Sequence, residues 1–303
     1  MKVIFSTVIR AAKQGDVHGG LYVVDLFNNV PLVHIPYEKA FVNDNERGGE
    51  RGLRGVIVLD DRVIVADANG LLELDKETLQ ITKVLQDRNI FKSVHEICYY
   101  DKSIWVTSTG YDAIVRVGLD LQVLEFWEIL GESKEDHKLF TGKQQIDPSK
   151  ASEDDKYHIN SISSFNGRLV FSGLITPLYD FHTMEVVSPM PTINGVKSFQ
   201  HNFYEYEDCT LINMTSLKHV GIIKDGQEIF IPVPATNLAH FSVDKIAENN
   251  WNRGLTRHQN LAIIGSSPAR LMVLDMDTGQ FVHHVQLEKD VRHAIHGLEI
   301  LEV

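Results

Sequence analysis

Three histidines, His95, His201 and His296, each open the same phrase: a polar residue, an apolar-rich stretch, a turn rich in Asp, Asn, Glu or Lys, and a second apolar run. Arg54, Asn160 and Arg253 open it too, and the two sets alternate along the chain. Three imidazoles converging from directions about a third of a turn apart would make a tripodal metal site, with positions left open for water or substrate. His158, two residues before Asn160, is a fourth candidate ligand, and His293, three before His296, a weaker one. The cofactor expected is a divalent transition metal (Zn, Fe or Mn), because imidazole suits several of these ions. Such a centre can lower the pKa of bound water or bind dioxygen at ferrous iron.

Arg54 and Arg253 flank this centre, and a pair of guanidinium forks grips a carboxylate, sulfate or phosphate. They and Glu96 are the catalytic candidates, with Glu96 as acid, base or orienter of an imidazole. Asn160 and Asn202 are substrate-binding candidates beside the two arginines. Thr109, Asp112, Ser267 and Arg270 join them from loops expected at the same mouth. The competing reading is structural. The histidines would then bond to channel waters or backbone, and Glu96, Glu299 or loop carboxylates would pair with the arginines.

The elements that must position these groups follow from the spacing. The openings lie 41, 65, 41, 52 and 43 residues apart, close to the roughly 40 to 50 that a four-stranded blade needs. This predicts an all-β, six-bladed β-propeller, a single domain over 1–303, with the opening residues at one mouth of the central channel. The last opening stands only a few residues from the end, so 296–303 supplies one strand. Met1 to Thr7, Gly20 to Asp25 and Pro31 to Pro36 must complete that blade and close the ring, which also protects sheet edges. Second strands are expected at Arg62 to Asp67, Ile104 to Ser108, Arg168 to Ser172, Leu211 to Thr215 and Leu261 to Ser266. Gly55, Gly254 and Gly297 follow openings where space at the axis is short.

The segment 131–157 carries many charges with little periodic hydrophobicity, and is expected to be an insertion loop and a candidate lid over the axial pocket. A net charge of −12 argues against nucleic acid or an anionic membrane as partner and leaves a small anionic molecule. Oligomeric state is not encoded legibly. Cys98 and Cys209 fall in different blades, so no disulfide framework is indicated, and a cytoplasmic setting is expected. The apolar start stops at Ile9, before Arg10 and Lys13, without a cleavage site, and is assigned to the closing blade. Asn213-Met214-Thr215 matches a glycosylation sequon but falls on an expected buried strand.

The set Arg51-Gly52-Leu53-Arg54-Gly55, His95-Glu96-Ile97, Ser108-Thr109-Gly110-Tyr111-Asp112, His158-Ile159-Asn160, Gly265-Ser266-Ser267-Pro268 and Ile295-His296-Gly297-Leu298-Glu299 resembles an uncharacterised family of bacterial six-bladed β-propeller proteins. The likeness spans nearly the whole chain, and it implies the fold without a reaction. More distantly, an axial histidine cluster is similar to that of the carotenoid-cleaving oxygenases, which hold iron with four histidines. It is also similar to that of the oligogalacturonate lyases, which hold manganese with three histidines and an amide. The lyase likeness implies His95, His201 and His296 joined by Asn160, with Arg54 or Arg253 on a uronate. Both classes are seven-bladed. The six-bladed calcium-dependent sugar-lactone hydrolases use carboxylates and asparagines on the axis, which here are largely histidine and arginine. The function expected is a metal-dependent lyase or hydrolase acting on a small carboxylate-bearing substrate. The alternatives are a three-histidine iron oxygenase and a non-catalytic ligand- or protein-binding propeller.

Overall fold

In the computed structural model, residues 1–13, 15–38, 51–133, 138–236 and 247–303 are described. Six antiparallel sheets of four or five strands follow one another among the described residues, with a two-stranded ribbon, Thr192–Ile193 and Val196–Lys197, between the sheets that hold Ser161–Phe165 and His201–Glu205. In five of the six the first strand of the sheet in the sequence also stands at one edge. These edge strands are Leu53–Val58, Ile97–Tyr100, Ser161–Phe165, His201–Glu205 and Leu255–His258. The sixth edge is His293–Glu302 from the C-terminal end, paired to Lys2–Ile9. Gly19–Asp25 and Val30–Tyr37 complete that sheet. The chain is a six-bladed β-propeller closed by pairing its two ends. We number the blades one to six from Leu53–Val58, so that the closing sheet is blade six.

Second strands such as Arg62–Asp67 are apolar at consecutive positions, with Val63, Ile64, Val65 and Ala66 all buried. A neighbouring blade covers each face, so the period-two alternation of a one-sided strand is lost. Six apolar clusters result, one for each pair of adjacent blades. Ile64 and Leu71 meet Phe91 and Val106 between blades one and two, and Val3 and Phe5 meet Ile263 and Leu271 between blades five and six. Outer strands such as Ile81–Gln86 are mostly exposed. Both cysteines are free.

The closing contact is extensive. Lys2↔Glu302, Val3↔Ile300, Ile4↔Glu299, Phe5↔Leu298 and Thr7↔Ile295 are paired across it. Deleting 296–303 removes most of that ladder and bares Ile4 and Phe5, both fully buried. The truncated chain is expected to lose its cooperative thermal transition; a melt matching that of the intact protein would show that closure contributes nothing to cooperativity.

The segment 131–157 differs from the expected loop. Val123–Ser133 runs into it, and Lys138–Gln145 pairs back as a fifth strand on blade two. The decisive residue is Phe140, which is buried and stacks on Phe171 at 5.1 Å and packs against Tyr157 and Tyr179. Phe140 is the strand's one buried residue, and Lys143 adds a bond to the His182 carbonyl at 3.0 Å and a contact with the Phe181 ring at 4.6 Å on blade three. Residues 134–137 lie outside the described residues. A single 3-10 turn, Pro148–Lys150, follows, with the Asp147 carboxylate accepting the Ser149 N–H at 2.9 Å.

Candidate functional site

The six opening residues stand at or beside the starts of the inner strands, so they meet at one end of the channel. The inner strands crowd there: a Cβ added at Gly297 would lie 2.2 Å from the Arg54 carbonyl oxygen, and one at Gly55 2.7 Å from the Ile97 nitrogen. Backbones that close admit only glycine. Gly55 N–H donates to the His95 carbonyl at 3.1 Å, which ties blade one to blade two at that level.

Four imidazoles gather above this constriction. The His95 ring centroid lies 5.2 Å from that of His296, 6.2 Å from that of His201 and 4.8 Å from that of His158, and His201 lies 6.4 Å from His296. His293 does not join them. It begins the same strand as His296, but its Nδ1 is turned toward the Glu288 carboxylate at 3.9 Å.

Hydrogen bonds fix the tautomers of three rings. His95 Nδ1 lies 2.8 Å from the Ser93 carbonyl, which can only accept, so Nδ1 carries the proton and Nε2 the lone pair. The Arg54 Nη1 that approaches the same nitrogen at 3.2 Å also bonds the Val94 carbonyl at 2.6 Å. His158 Nδ1 lies 3.0 Å from the Asp155 carboxylate, which can only accept, so this Nδ1 also carries a proton. His201 Nδ1 lies 3.0 Å from Thr215 Oγ1, whose hydroxyl donates to the Asn252 carbonyl at 2.9 Å and must therefore accept from the ring. The Nε2 of His201 is buried without a partner, as is the Nδ1 of His296.

Burial first, and then the charge of Arg54, holds the His95 pKa well below the usual imidazole range. Burial and Arg253 do the same to His201; burial and then Arg253, Arg54, Arg10 and Arg51 do so to His296. All three are neutral at neutral pH. One of the arginines near these rings, Arg10, was not singled out from the sequence. Arg10 is buried, with its guanidinium 4.6 Å from the Trp251 ring centroid, and Arg253 packs on the same ring at 5.8 Å. An arginine just past an apolar run gives no sign that ring closure will carry it to the axis.

Glu96 is not among the imidazoles. Consecutive residues of an extended chain project to opposite sides, so His95 faces the cluster and Glu96 the channel beyond it. Its Oε2 accepts from Asn202 Nδ2 at 2.7 Å, its Oε1 from the Ile97 N–H at 3.2 Å, and burial pushes its pKa up to about 8. It lines a second axial cavity of about 360 Å³ with Glu299, Tyr204 and Tyr206, toward the opposite mouth. Glu299 accepts from Thr256 Oγ1 at 3.0 Å and the Ile300 N–H at 2.9 Å. Neither carboxyl bonds Arg54 or Arg253, so the expected braces through Glu96 or Glu299 are not made.

Asn202 of blade four bridges Glu96 of blade two to Gly254 of blade five. It adopts φ +50° at a bulge in its strand, and its Oδ1 accepts from Gly254 N–H at 2.8 Å and Asn213 Nδ2 at 3.2 Å. Asn213, the residue of the sequon, is fully buried and accepts from Asn252 Nδ2 at 2.9 Å. Asn160 donates to the Gln200 carbonyl at 2.8 Å, and its Oδ1 is buried without a partner.

The loop candidates have other partners. Thr109 Oγ1 donates to the Ile159 carbonyl at 2.5 Å, bracing blade two to blade three. Asp112 accepts the backbone N–H groups of Lys156 at 2.5 Å, Tyr157 at 3.1 Å and His158 at 2.9 Å. It thereby anchors the end of the insertion and delivers His158 to the other rings. Ser267 Oγ donates to the Glu248 carbonyl at 2.7 Å. Arg270 faces away from the axis: it donates to Pro234 O at 2.7 Å and Asn250 Oδ1 at 3.2 Å.

No protein-family model matches the chain. No curated protein matches it either. Among solved structures, it is similar over 98% of its length to 97% of a chain in a nidogen/laminin complex, at 8% identity and a TM-score of 0.61. It also resembles a streptogramin B lyase (84% of this chain, 96% of that one, 13% identity, TM-score 0.52) and the computationally designed Ika8 protein (95% and 89%, 12% identity, TM-score 0.52). At such identities the likeness is one of fold.

Proposed function

We propose that His95, His158, His201 and His296 hold a divalent transition metal, and that the arginines around them, Arg54 and Arg253 foremost, bind the anionic group of a small carboxylate-bearing substrate undergoing elimination or hydrolysis. The observation that carries this reading is the tautomer set. Acceptors fix Nδ1–H on His95, His158 and His201, which is how metal-binding histidines are oriented by their outer partners. The His95–His296 and His95–His158 spacings of 5.2 and 4.8 Å are near the roughly 5 Å between centroids of two imidazoles on one tetrahedral ion with metal–nitrogen bonds of about 2.1 Å. His201, 6.2 and 6.4 Å from His95 and His296, would have to move inward. When bound, the ion would supply Lewis acidity and a lowered pKa for a coordinated water.

The chain's own residues set the conditions. Burial and the arginines keep His95, His201 and His296 unprotonated. A carboxylate held by these arginines beside a bound cation would attract it, so metal and carboxylate binding should reinforce each other. Zinc titration of metal-free protein is expected to show tighter binding in the presence of a dicarboxylate, and at least about a hundredfold weaker binding in His95→Ala/His201→Ala. Arg54→Lys or Arg253→Lys should weaken dicarboxylate binding by more than about tenfold, because lysine keeps the charge but not the fork.

One observation favours a second reading. Among the described residues, no group of three or more His, Cys, Asp or Glu side chains has the geometry of a bound metal ion. In that reading the neutral imidazoles and arginines receive an anion directly, without catalysis. Dicarboxylate binding that is independent of added zinc and unchanged by chelation would select it over the metal-dependent enzyme.

A further inference from the structure

A second arginine site lies off the axis. Arg270 begins the third strand of blade five, paired with Gln286 of the outer strand, and on an extended chain Met272 and His284 share its face. Pro234 to Thr236, just after the outer strand of blade four, complete a cavity of about 500 Å³ over that face. The volume is within the range of small-molecule pockets, about 300 to 1,000 Å³.

Arg270 is only 5% exposed, yet its hydrogen-bond partners are neutral: the Pro234 carbonyl and the Asn250 side-chain oxygen, both reached by Nη2. Among the described residues no carboxylate stands within ion-pair distance of it, and its Nε is buried without a partner. Its pKa falls to about 10 through burial alone. Elsewhere in this chain the more buried surface arginines take a carboxylate, as Arg116 takes Glu125 at 3.1 Å and Arg62 takes Glu73 at 2.8 Å. A buried charge lacking its counter-charge is destabilising unless a partner comes from outside. The Thr236 hydroxyl is likewise buried without a partner on the same cavity.

We infer that this cavity is a binding site for a small oxyanion, a carboxylate or a phosphate, held by Nε of Arg270 with the Thr236 hydroxyl as a second donor. The Arg270 Nε–H and the Thr236 hydroxyl can each donate to one oxygen of either group, while Nη2, the fork partner of Nε, stays with Pro234 and Asn250. Gln286 is a wall and not a ligand, since its amide donates to the Ala269 carbonyl at 3.2 Å. Nothing in this inference depends on the axial metal.

The test is calorimetry with inorganic phosphate and, separately, acetate, at fixed ionic strength. The background is Arg54→Lys/Arg253→Lys, in which axial anion binding is already weakened. Binding of at least one anion is expected, and adding Arg270→Met should weaken it by more than about tenfold. Thr236→Val, which leaves the arginine in place, should weaken it by about threefold or more; it serves if Arg270→Met does not fold. Whichever anion binds tighter identifies the class. Failure of both to bind at millimolar concentration, or binding indifferent to Arg270→Met or, where that variant does not fold, to Thr236→Val, overturns the inference.

Discussion

Acidification from about pH 6.5 to about pH 5 should reduce the free energy of unfolding. The sign follows from the imidazoles: His95, His201 and His296 have folded pKa values held well below the unfolded value of 6.5. Below that value the unfolded chain takes up protons that the folded one refuses, so stability is present in full above it and is lost as pH falls. Each such histidine contributes a slope of about 1.4 kcal/mol per pH unit, and three together about 4. Glu96 opposes them. Its folded pKa of about 8 is above its unfolded value, so it loses stability as pH rises through that window and regains about 1.4 kcal/mol per unit on acidification. Asp112 and Glu299, also raised by burial, oppose the histidines in the same window, and His293, lowered by burial, adds to them. The net loss is thus on the order of 1 to 2 kcal/mol per pH unit, against a typical 5 to 15 kcal/mol. Urea midpoints at a series of pH values measure it. A flat profile between about pH 6.5 and 5 would mean that the rings protonate freely in the folded state.

Asp112→Ala is expected to destabilise the protein by about 2 to 4 kcal/mol, because three backbone N–H groups lose a buried acceptor at once. Burial pushes the Asp112 pKa up to about 6, and removing that buried carboxyl offsets part of the loss. The same change should release His158 from the other rings and weaken ligand binding at the axis. Asp112→Asn keeps an acceptor at a left-handed position, φ +48°, that asparagine tolerates, and should lose about half as much. A loss below about 1 kcal/mol in the alanine variant would show that the end of the insertion is held by other contacts.

The architecture was legible because a closed ring forces the same sequence phrase to recur once per blade. It also leaves the truncated last phrase no partner but the N-terminal strand. Convergence of His95, His158, His201 and His296 was readable on the same logic. Several neighbours were not readable. Glu96 was placed with the imidazoles although strand alternation turns it to the opposite chamber, where Asn202 and Tyr204 receive it. Arg270 was placed at the mouth because its loop leads there, but its side chain obeys the third strand and drops between blades. Arg10 and Trp251 meet only after ring closure, across the whole length of the chain. The strand Lys138–Gln145 was hidden because its docking rests largely on one side chain, Phe140, and a single ring leaves no periodicity to read.

Elemental analysis of protein purified without a histidine tag, from cells supplied with zinc, iron and manganese, tests the central claim most directly. The proposed site predicts about one divalent transition ion per chain, lost in His95→Ala/His201→Ala while the fold is retained. Protein that is metal-free as isolated and takes up none of these ions on titration, with or without a dicarboxylate, would contradict it.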